Sequence, residues 1–209
     1  TVDRFHTVAN SSMTYAVTMS QENDNPDGNG KSVKLLTTTA KTPSGSENYI
    51  LRSAAVFSPS NWDLKSKINK SLDIIHEPVP GYEKTLSTKV NSFLNRLPAS
   101  RIFERFNWSI YPSEKLFFHP RYPISINKTN ELFLRVERQT FRKLNNPSAI
   151  MFTIGVHNYP LMEVLKIKGA PDSLMSAIKV MPESIKMYKG LNVIEKTIKE
   201  KIYHYSSAK

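Results

Sequence analysis

A chain of 209 residues, 39% apolar and 10% aromatic, can bury one core of ordinary size, and a single domain over residues 1–209 is the expectation. No apolar run reaches the length of a membrane span, and the absence of cysteine excludes a disulfide framework, thiolate-bound zinc, a cysteine-held iron–sulfur cluster and a thiolate haem ligand. The formal net charge is +11, yet residues 1–60 carry five basic and five acidic side chains, so the whole excess belongs to the remainder of the chain.

Met13 to Met19 (MTYAVTM) and Val33 to Ala40 (VKLLTTTA) are rich in strand formers, and the turn-rich QENDNPDGNGK between them predicts a long hairpin. A third strand is predicted from Tyr49 to Phe57, closed by Ser58-Pro59-Ser60, which also resembles the start of a capped helical turn. Leu86, Val90, Phe93, Leu94 and Leu97 recur at helical spacing until Pro98 ends the pattern, predicting an amphipathic helix. Phe106 to Ile110 reads as a short strand. Glu131 to Phe141 and Ala149 to His157 read as a hairpin turning through Asn145-Asn146-Pro147-Ser148. The C-terminal part turns helical: Leu174, Ile178 and Met181 share one face, Pro182 suits a first helical position, and Ile194, Ile198 and Ile202 form another apolar stripe. Lysines cover the rest of that last helix, and the Glu195–Lys199 and Glu200–His204 spacings point to a solvated face. Strands gathered in the middle with helices at their sides make an α+β fold with a largely antiparallel sheet. No dinucleotide fingerprint, phosphate-binding loop or nucleophile elbow occurs.

The five histidines, His6, His76, His119, His157 and His204, lack the spacings of a zinc site. His76 stands apart because it lies in IIHEPVPGY, where two prolines and a glycine would hold the chain in an extended turn and aim the imidazole in one direction. A rigidly aimed neutral imidazole suits an axial haem ligand, and it equally suits a loop histidine hydrogen-bonded to backbone. In LFLRVERQTFRKL, strand alternation puts Arg135, Glu137 and Gln139 on one face and Val136, Arg138 and Thr140 on the other. A continuous polar stripe on an interior strand is either an internal ion-pair network or the wall of a polar pocket. Asn107 and Ser109 offer donors and acceptors on one side of their strand, with Trp108 opposite as core or as cofactor wall. The positive field would attract nucleic acid, anionic membrane, an acidic redox partner or an anionic cofactor, or serve solubility alone. Phe117, Phe118, His119 and Arg121 lack the company of a nucleic-acid motif, so no nucleic-acid partner is expected. Four Asn-x-Ser/Thr sequons, at Asn10, Asn69, Asn107 and Asn127, fit chance in a chain this rich in Asn, Ser and Thr, and neither they nor the lack of cysteine settles the compartment.

Five segments, in order, resemble the signature blocks of the haem-dependent oxidative N-demethylase family, in its alpha-subunit-like form. They are AAVFSPSNWDLKSKINKSLDIIHEPVPGY (54–82), VNSFLNRL with RFNWSI (90–110), LFLRVERQTFRKL (132–144), AIMFTIGVHNYPL (149–161) and MPESIKMYKGL (181–191). IHEPVPGY, NWSI and LRVERQTF at this spacing carry the resemblance most specifically.

The resemblance implies a PAS-like fold holding haem b, and a monooxygenase that removes a methyl group from a small secondary amine such as dimethylamine, using O2. Electrons would come from a separate NADPH-dependent reductase carrying flavin and an iron–sulfur centre, which this cysteine-free chain could not house. Carried onto these residues, His76 becomes the candidate axial ligand to iron, and Arg135 and Arg138 candidate partners of the haem propionates. Glu137 would hold an ammonium substrate, Asn107 and Trp108 would shape the pocket, and Tyr82, Tyr159 and Tyr188 are further candidates. The alternative is a PAS-like haem or small-ligand sensor that kept the fold without turnover.

Overall fold

The computed structural model describes strand segments 8–10, 14–16 and 31–41 together with residues 49–118, 131–145 and 149–207. The predicted QENDNPDGNGK loop, His6, His119, Arg121 and most of the Asn145–Ser148 turn lie outside the described residues. Two short strands, β1 (Val8–Asn10) and β2 (Thr14–Ala16), pair with each other. The main sheet is made of β3 (Lys31–Lys41), β4 (Tyr49–Ala55), β5 (Ile102–Tyr111), β6 (Phe133–Lys143) and β7 (Ala149–Pro160). All its pairings are antiparallel, in the order β4-β3-β7-β6-β5. The expected α+β class with an antiparallel sheet flanked by helices therefore holds.

The expected hairpin of residues 13–19 with 33–40 does not form. β3 takes β4 along one edge and β7 along the other, so its ladder groups are used by strands nearer in space, and β2 is left to pair with β1. β5 is longer than the expected 106–110 because its register continues past Phe106, ending at Ile102 opposite Arg142. The third strand and the β6–β7 hairpin fall where the sequence places them.

Two helical layers cover the sheet. On one side lie α1 (Leu72–His76) and α2 (Thr88–Arg96), joined by a π-helical turn over Glu83–Ser87. Tyr49, Leu94, Leu97 and Ile150 are buried between α2 and the sheet, with Val90, Phe103 and Phe141 against them. On the other side are α3 (Leu161–Leu165), α4 (Ala170–Val180), α5 (Glu183–Tyr188) and α6 (Leu191–Ser207). The Ile194, Ile198 and Ile202 stripe of α6 joins Ile110, Leu132, Leu161, Leu165, Ile178 and Leu191 in the larger core. Among the described residues no helix is long and apolar enough to cross a membrane.

The predicted cap at Ser58–Ser60 is instead a point of parallel pairing: Ser60 bridges Phe118, with Asn61 N donating to the Phe118 carbonyl and Phe118 N to that of Pro59. The nearby 3-10 turn at Leu64–Ser66 is capped by Asp63. Pro182 sits at the N-cap of α5, one position before the first helical residue.

Ile198 is 0% exposed and Val193, on the same helix, is 70% exposed. Ile198→Ala is therefore expected to cost about 2–5 kcal/mol in urea unfolding, and Val193→Ala to stay within about 0.5 kcal/mol.

Candidate functional site

Register fixes which side chains share the α1–α2 side of the sheet. Arg105 lies opposite Gln139, Asn107 opposite Glu137 and Ser109 opposite Arg135, while Arg135 also faces Asn158 of β7. The polar stripe foreseen on β6 is thus matched by a second on β5.

Arg135 is 1% exposed. Its Nη1 donates to the carbonyl of Leu116 at 2.9 Å and its Nη2 to that of Ser58 at 2.9 Å, so one guanidinium ties together the two segments paired at Ser60 and Phe118. The Tyr111 and Phe118 rings lie against it, with centroids 5.8 and 5.5 Å from its Cζ. Burial pulls this guanidinium below its ordinary pKa, and the neighbouring Glu137 opposes that shift. Asn158 Nδ2 holds the carbonyls of Glu114 and Lys115, fixing the same loop from β7.

Glu137 is the hub. Its Oε1 accepts from Ser60 Oγ at 3.0 Å and lies 3.7 Å from Arg135 Nε; its Oε2 accepts from Asn107 Nδ2 at 3.3 Å and Gln139 Nε2 at 3.1 Å. Three of the carboxylate's roughly four lone-pair sites accept hydrogen bonds, while Arg135 Nε, at 3.7 Å, stands as an ion-pair partner beyond hydrogen-bond reach. The two amides then pass the contact outward, Gln139 Oε1 accepting from Arg105 Nε at 2.6 Å and Asn107 Oδ1 from Lys189 Nζ at 3.0 Å. Lys189 also donates to the Trp108 carbonyl at 2.7 Å. It follows α5, so the far helical layer reaches round the β5 edge to this face. Burial lowers the pKa of Arg105 and of Lys189, and Glu137 offsets part of each shift. Tyr111 and Tyr188 are raised, chiefly by burial, with Glu137 adding to both.

His76 stands across from this stripe. It is the last residue of α1 rather than part of an extended turn: Ser71 caps the helix start, Pro78 has no N–H to continue the ladder, and tight turns follow through Gly81 at φ +72°. Its Nδ1 lies 2.8 Å from the Leu72 carbonyl, so Nδ1 carries the proton and Nε2 keeps its lone pair. Tyr82 stacks on the ring at 4.6 Å and 13°. Burial lowers the imidazole pKa most, the Leu72 bond opposes that, and Arg105 and Lys67 push the same way as burial. Tyr82 is 5% exposed and its hydroxyl has no hydrogen-bond partner among the described residues. Its pKa is pushed up to about 12, by burial first and then by Asp73.

The structure brings His76, Tyr82, Asn107, Arg135, Glu137 and Tyr188 to one side of the sheet. It does not bring Arg138 or the Trp108 ring there. Arg138 lies on the opposite face with both side chains of its Glu104 pair partly exposed, at 2.6 Å, and Trp108 packs against the larger core. Tyr159 also alternates away, stacked beside His157. Sequence reasoning missed Ser60, Arg105 and Lys189. The alternation of Arg105, Asn107 and Ser109 could have revealed Arg105; Ser60 and Lys189 carry no local signal.

Every one of the five resembling segments contributes to this cluster: Ser58, Ser60, His76 and Tyr82; Arg105 and Asn107; Arg135, Glu137 and Gln139; Asn158; Tyr188 and Lys189. Over residues 35–199 the chain matches the family described as haem-dependent oxidative N-demethylase, alpha subunit-like. It belongs to that family. The match runs from β3 into α6, so it takes in the whole main sheet except the first residues of β3, and both helical layers. No curated protein matches the chain.

Two expectations follow. Glu137→Gln puts an amide donor against two amide donors and a buried guanidinium, and is expected to cost about 2–3 kcal/mol in denaturant unfolding, whereas Arg138→Gln on the opposite face stays within about 0.5 kcal/mol. Because His76 has a lower pKa folded than unfolded, the unfolded chain takes up its proton first as the pH falls below 6.5. Stability should therefore decline from pH 6.5 downward, and unfolding curves of His76→Gln should show a smaller decline over the same window.

Proposed function

We propose that this member of the N-demethylase family binds haem b with His76 Nε2 as the axial ligand and oxidatively demethylates a small methylated amine such as dimethylamine. The observation that carries the reading is the state of His76: one nitrogen committed to backbone, the other free, and the ring held neutral by burial. Among the described residues no three His, Asp or Glu gather as a metal site, whereas a macrocycle that brings its own four nitrogens needs a single side chain from the protein. Phe93 of α2 is exposed, and so are Phe57 and Phe117, each next in sequence to a residue whose carbonyl holds Arg135; such apolar surface suits cover by a flat apolar ligand. The sheet order, with an outer hairpin first and the helices α1 and α2 between its second and third main strands, supports the PAS-like reading.

Bound haem would supply oxygen activation, the methyl carbon being hydroxylated and the product collapsing to a primary amine and formaldehyde. The side chains have separate tasks. His76 presents its lone pair, with Tyr82 fixing the ring plane. Glu137 and Asn107 act as positioning residues, since their polar atoms are engaged with Ser60, Arg135, Gln139 and Lys189. Arg135 holds the loops that wall the site, and Trp108 gives its carbonyl to Lys189 while its ring stays in the core. A separate NADPH-dependent flavin and iron–sulfur reductase would deliver electrons. The second reading, a haem or small-ligand sensor without turnover, draws on one observation: the Glu137 carboxylate already accepts from Ser60, Asn107 and Gln139 and is charge-paired with Arg135, so most of its capacity is committed within the protein.

Haem titration of the purified chain, followed by ferric, ferrous and carbon monoxide spectra, should give a sharp Soret band that shifts on reduction and is altered in His76→Ala. With an electron donor and O2, dimethylamine should then yield formaldehyde. Haem uptake without formaldehyde would favour the sensor, and identical spectra from His76→Ala would remove His76 as ligand.

A further inference from the structure

Three cations, Arg105, Arg135 and Lys189, surround the single carboxylate of Glu137. They are not equivalent. Arg135 is buried, with both terminal nitrogens spent on the carbonyls of Ser58 and Leu116. Arg105 belongs to the exposed residues of β5 and spends one of its five N–H donors, on Gln139; among the described residues its two terminal nitrogens have no acceptor. Lys189 is half-buried and spends two of three donors, on Asn107 and the Trp108 carbonyl. Both are therefore held in place at one end and open at the other. Arg105 and Asn107, the strand positions at which the two are held, are two residues apart on one face, about 7 Å along β5.

The amides between them have a fixed sense. Gln139 and Asn107 each turn NH2 toward Glu137 and oxygen toward a cation, so the carboxylate orients the two cations without pairing directly with either. Cations so placed keep unspent donors for an incoming anion.

We infer that Arg105 and Lys189 form a two-point cradle for a ligand carrying two carboxylates, and that they, in place of Arg135 and Arg138, take the two propionates of haem. This rests on the haem reading above. Arg105 supplies a planar fork that matches a carboxylate, and Lys189 a point charge beside it. Arg105 also lies over the Phe141 ring at 5.7 Å, which leaves its head at the boundary between the aromatic cluster and solvent, where an amphipathic ligand would turn from apolar ring to carboxylate.

The test titrates the full chain, and its Arg105→Gln and Lys189→Gln variants, with ferric haem and with haem dimethyl ester, whose propionates are uncharged. Expected is haem binding to the unaltered chain roughly tenfold or more tighter than ester binding, with each substitution narrowing that gap and leaving ester affinity nearly unchanged. Because the ester comparison is made on the unaltered protein, a folding defect in either variant cannot decide the result. Equal affinity for haem and ester, or a loss in the variants that is the same for both ligands, would overturn the cradle while leaving haem binding intact. Binding of neither ligand would overturn the haem reading and the cradle with it.

Discussion

A guanidinium buried to 1% exposure costs several kcal/mol unless it finds partners, and at Arg135 the two terminal nitrogens find backbone carbonyls from two segments far apart in sequence, while Nε faces Glu137 at 3.7 Å without a hydrogen bond. That requirement shapes the α1–α2 side of the sheet. The carbonyls of Ser58 and Leu116 must converge on one point of β6, and the chain after β4 is thereby drawn beside the chain after β5, where Ser60 and Phe118 pair. Tyr111 and Phe118 cover the charge on its faces. Asn158, the register neighbour of Arg135 on β7, performs the same service for Glu114 and Lys115, so two central strands share the task of fixing one loop.

Glu137 follows from Arg135. A buried cation on an interior strand calls for a counter-charge, and two residues along the same face is where alternation offers it. Once a carboxylate stands there it needs donors of its own, which Ser60, Asn107 and Gln139 supply. The amides carry the order outward to Arg105 and Lys189, so a requirement set in the interior ends in two oriented cations at the open edge of the sheet. Lys189 also gives the far helical layer a stake in this face, because its bond to the Trp108 carbonyl uses the unpaired edge of β5.

The segments that resemble the N-demethylase family converge on one face of the sheet, and not every residue within them follows. At His76 the hydrogen bond from Nδ1 to the Leu72 carbonyl fixes the tautomer and leaves Nε2 with its lone pair. Arg138 and Trp108, adjacent in sequence to Glu137 and Asn107, sit on the opposite face, paired with Glu104 and packed in the core. Adjacency in a motif and adjacency in space part company on a strand, where each step of one residue changes sides.

By itself the sequence determined the class of the fold, the β6–β7 hairpin, the helix ending at Pro98 and the buried stripe of α6, because each is written in local periodicity and in residues that stop it. It also determined the split of β6 into a polar and a mixed face, and His76 as the histidine to watch. Only the tertiary structure decided that β3 pairs with β4 and β7 instead of with β2, since competition for ladder hydrogen bonds is settled among strands distant along the chain. Only it decided that Ser60, Arg105 and Lys189 meet around Glu137. Serine, arginine and lysine are common on any surface, and what sets these three apart is a convergence of segments from residue 60 to residue 189, which no local pattern records.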